Sequence, residues 1–315
     1  MLIELTIALF LGILAGTISG ISPGIHINLV SATLLASLSL LANVPVLALV
    51  VFIVAMAITH TFIDFIPSIF LGAPEEDTAL AVLPGHQLLK EGKGHEAVVL
   101  TLYGSLIALP IILLFTIIFI KFLPVVFEPI KTVIPFILIF VSLYLIFREE
   151  EFLISLTIFI IAGFLGLLTF SLPVREPLLP LLTGLFGTSA LVISLKSKPQ
   201  IPKQEIKPIG KIKLDKSSFL KSTFAAAIAA PACSFLPGIG SGHAAVLGSE
   251  ITGNLGDDKR GFLFLIGAIN TIVMALSFVT AFSIQKARTG ASAGVQELLT
   301  KITSTDLVLI LFTII

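Results

Sequence analysis

The chain has 315 residues, 56% of them apolar and only 12% charged, with nineteen Lys and Arg balancing nineteen Asp and Glu. Soluble domains carry roughly 25% charged residues, so the charges here are too few to cover a water-soluble globule, and a mean hydropathy of +1.11 points to a polytopic membrane protein. The balanced charge argues against nucleic acid held by bulk electrostatics, and a lone cysteine, Cys233, excludes a disulfide scaffold.

A membrane span needs about 20 mostly apolar residues. Residues 5–42 carry no acidic or basic side chain, but Pro23-Gly24 interrupts them midway. Residues 44–71 carry only His60 and Asp64, and 97–120 and 132–147 are uncharged. Spans at 152–174 and 177–195 follow, parted by the turn Pro173-Val-Arg-Glu-Pro177. After a polar linker, 222–249 is again uncharged and again broken, by Pro237-Gly238; 262–285 is an unbroken span. Residues 302–315 are too short to cross comfortably, so either the last helix is a stub or the chain continues beyond them. Glu4 stands where a signal peptide has basic residues, and the apolar stretch outruns a signal's core, so mature protein is expected from Met1 onward.

The linker 196–221 holds eight lysines against Glu205 and Asp215, together with Pro199, Pro202 and Pro208. The positive-inside rule places it in the cytoplasm. It reads as a solvated tether between halves, with a regulator- or headgroup-binding patch as the alternative.

Ile21-Ser-Pro-Gly-Ile-His26 resembles Phe235-Leu-Pro-Gly-Ile-Gly240, each midway in an uncharged stretch. Forty-eight residues on from Gly24 stands Gly72, and the same step from Gly238 reaches Lys286. Each interval holds one polar-interrupted span, with Thr59-His60-Thr61 in the first and Asn270-Thr271 in the second. The expected organisation is a first repeat at 1–96 with a cytoplasmic exit loop, a four-helix connecting bundle at 97–195, the basic linker at 196–221, and a second repeat at 222–315. If each broken stretch enters and leaves on one side, the repeats are inverted, a recurring plan in transporters; if each crosses fully, they are parallel. The expected fold is an all-α integral membrane protein of about ten membrane segments, two of them re-entrant at the Pro-Gly breaks.

Proline has no amide hydrogen, and glycine enters backbone regions closed to other residues. Mid-membrane, the pair leaves bare carbonyls on one half-helix and bare amides on the next, tolerated only inside protein or beside a watery cavity. The amides and the positive dipole end suit an anion. The candidate substrate-binding residues are therefore Pro23, Gly24, His26 and Asn28 at the first break, and Pro237, Gly238, Gly240, Ser241 and His243 at the second. His60 and Asp64 share a helical face; as an intramembrane carboxylate, Asp64 is a candidate for carrying a coupling proton or binding a cation. Asn270 and Arg288 complete the coupling or gating candidates, Arg288 and Lys286 offering charge to an anion or anchoring at the interface. No zinc pattern, Walker loop or other enzyme constellation is present, no cofactor is expected beyond a coupling cation, and Cys233 reads as packing.

These residues resemble the large membrane subunit of tripartite tricarboxylate transporters, the TctA family, most closely its shorter archaeal-type branch. The resemblance rests on Pro23-Gly24-Ile25-His26 and Pro237-Gly238-Ile239-Gly240. It also rests on Gly72-Ala-Pro-Glu-Glu-Asp-Thr78 followed by Leu83-Pro-Gly-His-Gln-Leu-Leu-Lys-Glu-Gly92-Lys-Gly-His-Glu-Ala97. His26 departs from the family's second glycine, and Pro84 and His86 stand where an acidic residue and an aromatic are typical. The resemblance implies uptake of a small organic carboxylate driven by a cation gradient, H+ or Na+. It further implies a periplasmic binding protein and a small membrane subunit as partners, and substrate-site roles for Pro23, Gly24, Pro237 and Gly238. Two other readings use the same residues: a flippase for anionic lipid carriers such as polyprenyl phosphate, and a non-transporting scaffold or intramembrane enzyme.

Overall fold

The N-terminal apolar stretch folds as two helices, α1 (Leu2–Ile21) and α2 (Ile27–Ala36), parted at the Pro-Gly pair. α3 (Val46–Ile63) and α4 (Phe65–Leu71) form the next span, with Gly72 closing it in the left-handed conformation. A 3-10 turn, Glu76–Ala81, leads into α5 (Val82–Lys90), then α6 (Gly94–Lys131), α7 (Ile134–Arg148) and α8 (Phe152–Phe170). The second half comprises α9 (Lys216–Ser234), α10 (Ser241–Ile251), α11 (Lys259–Ile284), α12 (Gly290–Leu299) and α13 (Ser304–Ile314). The computed structural model describes residues 1–72, 76–174, 181, 183–188, 192, 196, 201–236, 239–251 and 258–315, and no strand occurs among them. Pro237 and Gly238 lie outside the described residues, as does most of the expected span at 177–195.

Among the described residues five stretches are long and apolar enough to cross a membrane: α1, α3 with α4, α6, α8 and α11. α6 differs from the sequence expectation of a first span ending near residue 120. It runs unbroken through Lys121, Pro124, Glu128 and Pro129 to Lys131. At 1.5 Å per residue this helix is about 57 Å long, well beyond a bilayer core of about 30 Å. A proline removes one donor and crowds one carbonyl, and within so long a helix that local loss does not outweigh the turns on either side.

Glycine seams bring backbones together. Gly12, Gly16 and Gly20 repeat every four residues along α1, and that face lies against α3; a Cβ on Gly12 would stand 2.6 Å from Phe52 O. Where lipid tails are as apolar as leucine, such close approach replaces the hydrophobic drive to pack. α11 is the centre of the molecule, buried almost throughout, and contacts α6, α9 and α3. α8 is exposed along nearly its whole length and packs on α7, as expected of helices facing lipid. α1 rests on α3 as α9 rests on α11, and α2 lies against α12 as α10 lies against the 3-10 turn at 76–81.

The described part of the basic linker is tied down. Glu205 N–H donates to Gly92 O (2.7 Å), while Gln204 accepts from Gly94 N–H (2.7 Å) and donates to Leu89 O (3.1 Å). Farther along, Tyr103 donates to Ile209 O (2.7 Å), Arg260 donates to Lys213 O (2.7 Å), and Ile212 is buried. The linker lies across the ends of α5, α6 and α11 as a strap.

Candidate functional site

The first break is a tight turn. Ile25 N–H donates to Ser22 O (3.2 Å), and Gly24 has φ +88, a region that favours glycine. His26 then caps α2, its Nδ1 accepting from Asn28 N–H (3.1 Å). At the second break α9 ends at Ser234 and α10 starts at Ser241. Gly240 N–H points to His243 Nδ1 (3.4 Å), and Ser241 N–H donates to Asp77 Oδ1 (3.3 Å).

A third helix start joins these two. After α11, Gln285 turns with φ 52, and Gln296 pins the turn by donating to Gln285 O (2.9 Å) and accepting from Ala287 N–H (3.0 Å). Thr289 and Ser292 form a reciprocal capping box at the head of α12, and Thr289 Oγ1 also lies 2.9 Å from Ser277 Oγ. Gly290 is needed here: a Cβ would fall 2.6 Å from Asn28 Cγ, so α2 and α12 meet at this glycine. Lys286 and Arg288 ride over the Phe127 ring at 5.0 and 5.8 Å, and buried Arg288 Nε has no hydrogen-bond partner among the described residues.

The starts of α2, α10 and α12 open on one cavity of about 240 Å³. Of the residues expected from sequence, it brings together His26, Asn28, Gly240, Ser241, Asn270 and Arg288. Pro23 and Gly24 sit in the turn and do not line it; a Cβ on Gly24 would meet nothing within 4 Å. His243 lies within the first turn of α10, and neither it nor Lys286 lines the cavity. Sequence reasoning missed Asp77, Ser277, Thr289 and Gly290 as lining residues, and Cys233, read as packing, also lines the wall. The Thr289-x-x-Ser292 spacing was a local signal for a helix start; nothing local marked Asp77.

Behind the cavity wall lies a buried polar cluster. Asn270 Nδ2 donates to Asp64 Oδ2 (2.8 Å), and His60 Nε2 lies 4.0 Å from the same oxygen. His60 Nδ1 shares a hydrogen bond with Ser19 Oγ (2.9 Å), and its ring meets that of His26 edge-on at 5.7 Å. Asp64 is 4% exposed. Thr61 and Thr271 hydroxyls meet at 3.1 Å, so the polar interruptions expected in α3 and α11 face one another. Asp77 lines the same cavity and already meets the start of α10; the starts of α2 and α12 each add about half an elementary positive charge and Arg288 a full one, so these groups can hold an anionic group, with a titratable pair one residue away through Asn270.

Comparison with known proteins fits this geometry. The family model of the tripartite tricarboxylate transporter TctA family matches residues 6–312. The chain is similar to the uncharacterized protein MJ1079 of Methanocaldococcus jannaschii, 33% identical over 294 residues that cover 91% of this chain and 71% of that one. No solved structure matches. The chain belongs to the tripartite tricarboxylate transporter TctA family.

Proposed function

We propose that this multi-pass membrane protein is a secondary active transporter of a small organic anion, a carboxylate, working by alternating access. The observation that carries the reading is one cavity on which Arg288 and the starts of α2 and α12 converge. Helix dipoles and a guanidinium bind a carboxylate without covalent commitment, which suits a solute that must be released. The two broken stretches act as re-entrant hairpins of inverted repeats. Reciprocal packing supports this: each half-helix that follows a break lies against the segment that leaves the other repeat's long span. Asp64 with His60 carries the coupling proton or cation, and Asn270 reports its state to the cavity through the 2.8 Å hydrogen bond. The basic linker is cytoplasmic, and a binding protein and a small membrane subunit are partners by family.

The test is uptake of labelled carboxylate-bearing solutes into proteoliposomes. Saturable uptake abolished by Gly24→Leu supports the reading. A Cβ at this position meets no neighbour, so the loss would come from the left-handed backbone of the break. Absence of uptake together with binding of lipid phosphates would favour a flippase, and absence of both with a copurifying protein would favour a scaffold.

A further inference from the structure

Beside the strap lies an open groove of about 430 Å³ that shares no lining residue with the central cavity. Leu106 and Ile107 of α6, Phe219 of α9 and Phe264 of α11 form its walls, and the strap closes one side at Lys213. The Phe219 and Phe264 rings meet edge-on at 5.4 Å, and Leu106 is exposed. The strap is fixed here: Tyr103, also in the wall, donates to Ile209 O, and Arg260 donates to Lys213 O, each at 2.7 Å. The groove lies where charged chain gives way to apolar chain. Tyr103 stands about 14 Å along α6 from Gly94, and Phe264 about 8 Å along α11 from Lys259. Lys93, Glu96, Lys259 and Arg260 lie on the near side of that level, and the uncharged runs 97–120 and 262–285 extend beyond it. This is the pattern of a membrane–water boundary, the level at which tyrosine is enriched. Some of the charges around the rim are matched: Arg260 by Glu96 (3.1 Å) and Lys207 by Glu205 (3.1 Å). Asp215 turns to the Ser218 N–H (3.0 Å) as the cap of α9. Lys211, Lys213 and Lys216 are exposed and make no ion pair among the described residues.

We infer that this groove is a binding site for an anionic glycerophospholipid. An acyl chain lies against Leu106, Ile107, Phe219 and Phe264, and the headgroup phosphate meets Lys213, with Lys211 and Lys216 beside it in the chain. A small polar solute gains nothing from the apolar walls, and a purely apolar one gains nothing from the basic rim; a lipid at this depth satisfies both. A headgroup carrying its own cation sets that charge against the lysines, so the site selects a lipid with net negative charge. The bound lipid joins the strap to α6 and α9, whatever solute the central cavity carries.

The sequence contains no tryptophan, so an introduced indole reports on its own surroundings alone. Phe219→Trp places one in the groove wall. The full chain is reconstituted in vesicles of phosphatidylcholine and phosphatidylglycerol, with one lipid or the other carrying brominated acyl chains. Bromine quenches an indole only at short range, so the quenching curves give the relative affinity of the two lipids for the groove. Phosphatidylglycerol is expected to be preferred by at least about fivefold. Lys211→Gln, Lys213→Gln and Lys216→Gln together should bring the ratio to about one while both lipids still quench. Phe159→Trp, on the exposed α8, should give a ratio of about one with or without those lysines. Leu106→Trp repeats the measurement without touching the Phe219–Phe264 pair, and it decides if Phe219→Trp proves unstable. Equal affinity for the two lipids at the groove, a preference that survives loss of the lysines, or a preference of the same size in Phe159→Trp overturns the inference. Quenching by neither lipid at the groove would mean that protein covers it, and overturns the inference as well.

Discussion

The seam between α6 and α11 sets a stringent test of the packing. Gly104 and Gly267 face each other across it. A Cβ on Gly104 would lie 2.7 Å from Ala268 N and closer still to Phe264 O. One on Gly267 would lie 2.8 Å from both Cα and C of Thr101 and closer to its O. Contacts under 3.0 Å are essentially never made by real Cβ atoms, and every obstructing atom is backbone, so no side chain can swing aside. The helices must part by several tenths of an ångström, loosening the Ser105 Oγ to Gly267 O hydrogen bond of 3.1 Å and the buried contacts on either side. Overpacking of this kind costs about 1–3 kcal/mol, and the rigid neighbours place each alanine substitution near the top of that range. Because one separation makes room for both methyl groups, the double variant should cost less than the sum of the singles by about 1 kcal/mol. Reversible unfolding in detergent micelles, by heat or by titrated denaturing detergent, measures this. Gly163→Ala on α8, where a Cβ meets nothing within 4 Å, is the control and should be neutral or stabilising by up to about 1 kcal/mol through helix propensity. Unchanged midpoints for Gly104→Ala and Gly267→Ala would refute the close approach of the two helices.

Asp64→Asn retains an acceptor for Asn270 and so should fold, but its uptake should no longer respond to an imposed pH gradient; an unaltered response would remove Asp64 from coupling. Gln204→Ala loses the hydrogen bonds to Gly94 and Leu89, and limited trypsin digestion should then cut faster at Lys203, whereas unchanged cleavage would mean the strap is held by other contacts. The carboxyl of Glu91 is held below the ordinary range first by Lys93, at 3.0 Å, and next by Lys259, at 3.3 Å. A depressed folded pKa gives stability that is present above the usual carboxylate value and lost as pH falls through the folded one. The melting difference between wild type and Glu91→Gln should therefore shrink only in acid, and it should be small at all pH because the pair is exposed.

Much of the architecture is legible in the sequence because its causes are local. Runs of apolar residues mark the five stretches among the described residues that are long enough to cross, and the Pro23-Gly24 pair marks the first break, where Gly24 is then found at φ +88. His60 and Asp64, four apart, come together (Nε2 to Oδ2, 4.0 Å) with Asp64 at the junction of α3 and α4. The family, too, could be read from short motifs. What the tertiary structure decided is what depends on residues far apart in the chain. Asp77 meets Ser241 across 164 positions, and Asn270 meets Asp64 across 206. No pattern of spacing or hydropathy encodes such meetings, since they depend on how α10 lies against the 3-10 turn at 76–81 and α3 against α11. The same holds for Gly104 and Gly267, which look like unremarkable glycines in apolar runs until two backbones touch. α6 shows the converse: the charges after residue 120 suggested a boundary, yet the helix continues, because the donors missing at Pro110, Pro124 and Pro129 are outweighed by the turns between them. A sequence states which groups are costly to bury; only the packed molecule shows which of them face one another.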